Sequence, residues 1–266
     1  MLERPSDRKR LRRIEGLLID LDGVLYVGEE VIDGAPKAVA RIKEAGIPIR
    51  FVTNTTTRSR PILHEWAERL GLPIEVHEII NAPRAAAGYL RSIGNPRCRF
   101  VVSEDVLEEF EGIPQDDSHP EIIVIGDIGD RWDYELLSEL FAAIVDGAKL
   151  VALHKGRYYQ GPEGLILDIG GFVAALEYAT GTVATVIGKP SAPFFHAAAA
   201  DMSLTPSRAA MVGDDIESDV GGAQKAGLAG ILVKTGKYRS HLAAASSVRP
   251  DAVVPSIADV PNLLGI

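Results

Sequence analysis

GLLIDLDGV, residues Gly16 to Val24, is a short apolar run that ends in two aspartates one residue apart, with a glycine directly after them. Leu17-Leu18-Ile19 has the length and flanks of a buried parallel strand, which reads as continuously apolar because both of its faces are covered. Asp20 then falls at the strand's carboxyl end, where open α/β sheets place their ligand sites. If extended geometry persists, Asp22 faces the same way two residues on. Gly23 supplies the sharp exit that leaves room above the pair. Two such carboxylates repel each other unless a metal ion neutralises them or one stays protonated. A D-x-D-G string also occurs in plain turns, where the aspartates bond nearby N–H groups. What the rest of the chain brings to the same place therefore decides the reading.

Three later runs have the same form. Ile47-Pro48-Ile49-Arg50-Phe51-Val52 ends in Thr53-Asn54-Thr55-Thr56-Thr57. A hydroxyl and backbone N–H groups at a strand tip suit a phosphate oxygen, and the same residues also suit a turn capping a helix from Ser59. Val186-Ile187-Gly188 ends at Lys189-Pro190; a fixed ammonium there serves both a carboxylate cluster and a phosphate dianion. Met211-Val212-Gly213 ends in Asp214-Asp215-Ile216-Glu217-Ser218-Asp219. That acid density fits a helix N-cap, and it also supplies the hard oxygen ligands that Mg2+ takes. Each tip has an ordinary explanation, but four in one chain point to one site.

The order D-x-D-G, T-N, K-P, G-D-x-x-x-x-D resembles the haloacid dehalogenase (HAD) superfamily of aspartate-nucleophile phosphatases, over nearly the whole chain from about Gly16 to Tyr238. Leu153 to Tyr159, Ala175 to Ala179, Asp219 to Gln224 and Val233 to Tyr238 resemble one branch of it, related to the NagD-like phosphatases with a large α/β cap. Some members of that branch carry serine where this chain has Asp22; aspartate here favours full acid–base competence.

The alternation of strand-like and helix-like stretches reads as a parallel sheet with crossover helices. All four tips lie before about residue 60 or after about residue 186. The expected fold is an α/β, Rossmann-like parallel-sheet core, residues 1–81 and 182–266, with a smaller α/β domain of residues 82–181 inserted in it. Hinges are expected near Asn81-Ala82-Pro83 and Gly181-Thr182. In the HAD family that insertion point defines the C2 cap, which covers the site and selects substrate.

By the resemblance, Asp20 is the nucleophile and Asp22 the general acid and base. Mg2+ is held by Asp20, the main-chain carbonyl of Asp22 and Asp214. Thr53, the Asn54 N–H and Lys189 clamp the phosphate, and Asp219 supports by orienting Lys189 or a metal-bound water. In the inserted domain His154, Lys155 and Arg157 are candidate specificity residues, because cations beside Tyr158 and Tyr159 suit an anionic or planar substrate. Gly170-Gly171, opening a helix, could offer N–H groups to a second anion, while His196 reads as structural.

Composition sets the limits. A net charge of −9 argues against nucleic acid as partner, and no apolar run approaches membrane-spanning length. Cys98, the only cysteine, cannot pair internally, which suits a reducing, cytoplasmic setting. The basic leader from Arg4 to Arg13 reads as solvated. The expected partner is a small phosphorylated substrate, and a homodimer is compatible with the sequence. A phosphotransferase or mutase on the same fold is the alternative activity. A receiver-like signalling domain is too small to hold the insertion, and a non-catalytic binding protein would have little use for an intact acid set.

Overall fold

The computed structural model describes residues 10–161 and 164–266. Residues 4–9 of the basic leader therefore lie outside the described residues. The chain divides into two compact units: residues 1–53, 60–80 and 189–266 form one, and residues 54–59 and 81–188 the other.

In chain order the strands are β1 (Gly16–Asp20), β2 (Tyr26–Val27), β3 (Glu30–Val31), β4 (Ile49–Thr53), β5 (Ile79–Asn81), β6 (Cys98–Val101), β7 (Ile122–Ile125), β8 (Lys149–Ala152), β9 (Tyr158–Gly161), β10 (Gly164–Leu167), β11 (Thr185–Val186), β12 (Ala209–Gly213), β13 (Ala229–Val233) and β14 (Ala252–Val254). The longer helices are α1 (Ala35–Glu44), α2 (Arg60–Arg69), α3 (Ala82–Ser92), α4 (Tyr134–Val145), α5 (Gly170–Thr180) and α6 (Ala192–Asp201).

The first unit is built on a six-stranded sheet of order β14-β13-β12-β1-β4-β5. The β4–β1, β1–β12, β12–β13 and β13–β14 pairings are parallel. All five residues of β1 are buried, as a strand covered on both faces requires. On one face Leu17, Ile19, Phe51, Val212 and Ile231 pack with Val39 and Ile42 of α1 and Leu63 of α2. The pairing register aligns the strand ends. Asp20 lies opposite Val52, Ile19 opposite Val212, and Gly213 opposite Leu232. Asp20, Thr53, Asp214 and the segment after Val233 consequently emerge along one carboxyl edge. β1 lies where the strand order reverses, with β4 on one side and β12 on the other, which is where open α/β sheets bind ligands.

The second unit has its own parallel sheet, β11-β8-β7-β6, and a β9–β10 hairpin. Successive residues of β7 face opposite sides. Ile122 and Val124 pack against Ala86 and Leu90 of α3, while Ile123 and Ile125 pack against Leu140 and Ile144 of α4 and Val173 of α5. Asn81 ends β5 and caps α3, its side-chain oxygen accepting the Arg84 N–H at 2.9 Å.

Two expectations are corrected. The run at Val186 is not a strand of the core sheet: Thr185 and Val186 pair with Val151 and Ala152 of β8. Those parallel hydrogen bonds carry the second unit past the expected 181/182 boundary to Gly188, and the first resumes at Lys189. Residues 54–59 also group with the second unit rather than the core.

Candidate active site

Asp20 ends β1 buried, 7% exposed, with one oxygen, Oδ1, accepting the Leu21 N–H at 2.9 Å. The same oxygen receives the Lys189 ammonium at 2.8 Å, and Lys189 also reaches Asp219 Oδ1 at 2.8 Å. Lys189 is 4% exposed. Burial works to lower its pKa, but the charges of Asp20 and Asp219 outweigh that and hold it above the usual lysine range.

Lys189 reaches this point from the loop that enters α6, not from a strand tip. Phe194 and Phe195 bury α6 in the core, and Pro190 packs so tightly that a Cβ on Gly222 would lie 2.8 Å from its Cα. Asp219 approaches Gly213 just as closely, at 2.3 Å from where a Cβ on that glycine would stand. It is placed by a π-helical turn, Ile216–Gly221, in which the Val220 N–H donates to the Asp215 carbonyl. Asp219 Oδ2 accepts the Asp215 N–H at 3.2 Å. Asp215 is the N-cap of that turn, accepting from the N–H groups of Glu217 and Ser218, both at 2.9 Å.

Asp214 completes the cluster. One carboxylate oxygen from each of Asp20, Asp214 and Asp219 lies within 4.8 Å of the others. Asp214 Oδ2 accepts the Lys237 N–H at 2.6 Å, whereas Oδ1 is buried with no hydrogen-bond partner among the described residues. Burial, then the charges of Asp20 and Asp219, push its pKa up to about 8. Asp219 is raised to about 6, mainly by burial, against the lowering effect of Lys189. Two glycines hold Asp214 in place. Gly23 (φ +84°) and Gly236 (φ +54°) come so close that a Cβ on either would lie 1.9 or 2.1 Å from Asp214 Oδ2. The Thr235 hydroxyl ties their loops together by donating to the Gly23 carbonyl at 2.5 Å.

Three mutually repelling carboxylates, one with an orphaned oxygen, form a donor set that fits a hard divalent cation. Asp219 has both oxygens committed, Oδ1 to Lys189 and Oδ2 to the Asp215 N–H, whereas both contacts of Asp20 fall on Oδ1 and Asp214 Oδ1 has no partner among the described residues. Asp20 and Asp214 are therefore the side chains with an oxygen to offer a metal.

Asp22 departs from the expectation that it continues the strand. β1 stops at Asp20, Gly23 turns the chain, and Asp22 is exposed while Asp20 is buried. Thr53 is buried at the end of β4. Asn54 belongs to the second unit, where a Cβ on Gly188 would stand 2.6 Å from its Oδ1.

The second unit's candidates separate. His154 is buried, accepts the Gly156 N–H at Nδ1 at 3.0 Å, and places Nε2 3.7 Å from Asp168. Lys155 is ion-paired with Glu177 of α5. Arg157 is exposed and forms no ion pair among the described residues. Gly170 and Gly171 offer no anion site: their N–H groups donate to the Gly156 and Asp168 carbonyls at 2.9 and 3.1 Å. His196 bonds the Ala226 carbonyl at 2.8 Å and is structural. The stretch Val233 to Tyr238 stands out in the sequence only by its resemblance to one branch of the family; nothing in it marks Lys237 as a residue that reaches Asp214, since a lysine in a glycine loop looks like any surface lysine.

The chain is similar to known proteins of one family. A family model described as haloacid dehalogenase-like hydrolase matches residues 17–113, and a HAD-hydrolase-like model matches residues 186–260. Human haloacid dehalogenase-like hydrolase domain-containing protein 2 is 42% identical over 229 residues, 86% of this chain and 87% of the relative. Human phospholysine phosphohistidine inorganic pyrophosphate phosphatase is 38% identical over 262 residues, 96% of each. The solved structure of the p-nitrophenyl phosphatase from Archaeoglobus fulgidus superposes with a TM-score of 0.88 at 29% identity, covering 94% of this chain and 98% of that one.

Proposed function

The chain belongs to the haloacid dehalogenase-like hydrolases, and on that premise we propose that it is an Mg2+-dependent phosphatase of small phosphorylated compounds, working through an aspartyl-phosphate. One observation carries the reading. A buried aspartate at a strand tip is held by a buried lysine, beside a second aspartate with one oxygen that has no partner among the described residues. A carboxylate so placed is a nucleophile whose charge is balanced without being quenched.

When bound by Asp20, Asp214 and the main-chain carbonyl of Asp22, the metal supplies the positive charge that lets two anions meet. Asp20 attacks phosphorus in line; its oxygen forms the new P–O bond as the bond to the leaving oxygen breaks. Asp22, which is exposed, gives its proton to the leaving oxygen. It then takes one from the water that hydrolyses the aspartyl-phosphate, which frees Asp20 and inorganic phosphate. Thr53, the Asn54 N–H and Lys189 hold the non-reacting oxygens, and Asp219 keeps Lys189 in position. The second unit selects the substrate.

The name of the pyrophosphate phosphatase relative supports including pyrophosphate and phosphoramidates among candidate substrates beside phosphomonoesters. A buried, unpaired Cys98 suits work in the cytoplasm, and no helix among the described residues is long and apolar enough to cross a membrane. The test is phosphate release with Mg2+ from a panel of phosphorylated metabolites, pyrophosphate and phosphoramidates. Product analysis with added alcohol acceptors separates hydrolysis from phosphotransfer. Absence of release from every member would overturn the proposal.

A further inference from the structure

Lys189 is not the cation best able to meet an incoming phosphate. It is buried, and two of its three N–H donors are already taken by Asp20 and Asp219. The three clustered carboxylates, set against Lys189 and one divalent cation, sum to zero charge. A phosphate dianion entering that site would meet no surplus positive charge, and desolvating it there would be costly.

Lys237 supplies what is missing. It lies beyond the carboxyl end of β13, on the edge of the sheet that carries Asp20 and Asp214. Its loop is fixed by three contacts: Thr235 to the Gly23 carbonyl, Gly236 packed against Asp214 and Gly23, and the Lys237 N–H on Asp214 Oδ2. The side chain is exposed and forms no ion pair among the described residues. It nevertheless lies within the field of the site: desolvation acts to lower its pKa, and Asp20 and Asp214 reverse the sign.

We infer that Lys237 is a second phosphate-binding residue of this site, its ammonium engaging non-bridging oxygens of the phosphoryl group held at Asp20. This rests on the phosphatase reading and adds to it a cation that stays available once the metal has neutralised the carboxylates. The transition state spreads charge over those same oxygens, so the contact serves binding and turnover alike.

Lys237→Met is the informative variant, because it removes the ammonium and keeps the main-chain N–H that holds Asp214. Inorganic phosphate and orthovanadate are titrated calorimetrically into the Mg2+-loaded wild type, Lys237→Met and Lys237→Arg, with Mg2+ affinity and thermal unfolding measured on each. Loss of a charge-assisted hydrogen bond weakens anion binding roughly 10- to 100-fold, and arginine restores most of it. Mg2+ binding should be unchanged or tighter, because a positive charge beside the carboxylates has gone. Equal anion affinity in wild type and Lys237→Met overturns the inference. So does weaker Mg2+ binding with unaltered anion binding, which would make Lys237 a structural counter-ion. These are binding readouts. An Asp20→Asn variant that still releases phosphate therefore sinks the mechanism proposed above without touching Lys237, and the converse also holds.

Discussion

The Lys237 N–H donates to Asp214 Oδ2 at 2.6 Å and leaves Asp214 Oδ1 buried without a partner among the described residues. A carboxylate held by one hydrogen bond, near two other acids, is unstable as an anion until a cation arrives.

This gives a pH dependence with a definite sign. Burial and the neighbouring acids raise the Asp214 pKa from about 4 to about 8. The folded, metal-free protein therefore binds a proton there more tightly than the unfolded chain does. The stabilisation is present in full below about pH 4 and is lost as pH rises through about 8. Asp219, raised to about 6, adds to the loss in the lower half of that window. Thermal unfolding in chelator should show stability falling by a few kcal/mol across the window. Saturating Mg2+ should reverse the fall, and Asp214→Asn should flatten its upper half. A chelated wild type as stable at pH 8 as at pH 5 would contradict this.

Lys189 joins two buried carboxylates, so removing it should cost more than catalysis. Lys189→Met leaves Asp20 and Asp219 facing each other uncompensated, a change worth about 3–5 kcal/mol when a buried pair loses one partner. Urea denaturation measures it. Asp20→Asn keeps a hydrogen-bond acceptor for Lys189 and should be far less destabilising, yet it should abolish turnover because an amide is a poor nucleophile. Near-normal phosphate release by Asp20→Asn would remove the nucleophile assignment.

Asp22 is exposed, so Asp22→Asn should shift stability by no more than about 0.5 kcal/mol. Its effect should depend on the leaving group. Alkyl phosphates need the proton and should slow by about 10²–10⁴ in kcat, whereas an acidic aryl phosphate should lose much less in the first step. Equal losses on both substrates would argue against acid catalysis.

The parts of the site readable from the sequence are those written in strands. Asp20, Thr53 and Asp214 each follow an apolar run, and parallel register alone aligns their ends. Lys189 was legible as a residue but not in its support. The run before it looked like a core strand, yet two residues of it pair with β8 of the other unit, and two-residue pairings leave no periodicity to read. Asp219 depends on a π-helical turn that no spacing rule announces. Lys237 becomes part of the site only because β13 lies beside β12 and two glycines let its loop touch Asp214. The same limit applies to Lys155, whose partner Glu177 lies on a helix that the local sequence does not place beside it.

That pairing divides the two candidate specificity cations, Lys155 and Arg157, into different predictions. Burial works to raise the Glu177 pKa, but Lys155 and the Ala184 N–H outweigh it and hold the carboxyl below its usual range. The Lys155 ammonium is thus committed within its own unit, whereas Arg157 is exposed and unpaired among the described residues. Lys155→Ala should lower stability by about 0–1 kcal/mol, as a partly exposed pair does, and leave the ranking of substrates unchanged. Arg157→Ala should leave the unfolding temperature in place. It should shift the kcat/KM ratio between pyrophosphate and a small aryl phosphate by roughly tenfold or more, since a guanidinium can meet the second phosphate of one and finds nothing on the other. Steady-state kinetics of both variants on both substrates decides it. A ratio that moves with Lys155→Ala and not with Arg157→Ala would exchange their roles. One that moves with neither would place substrate choice outside this loop.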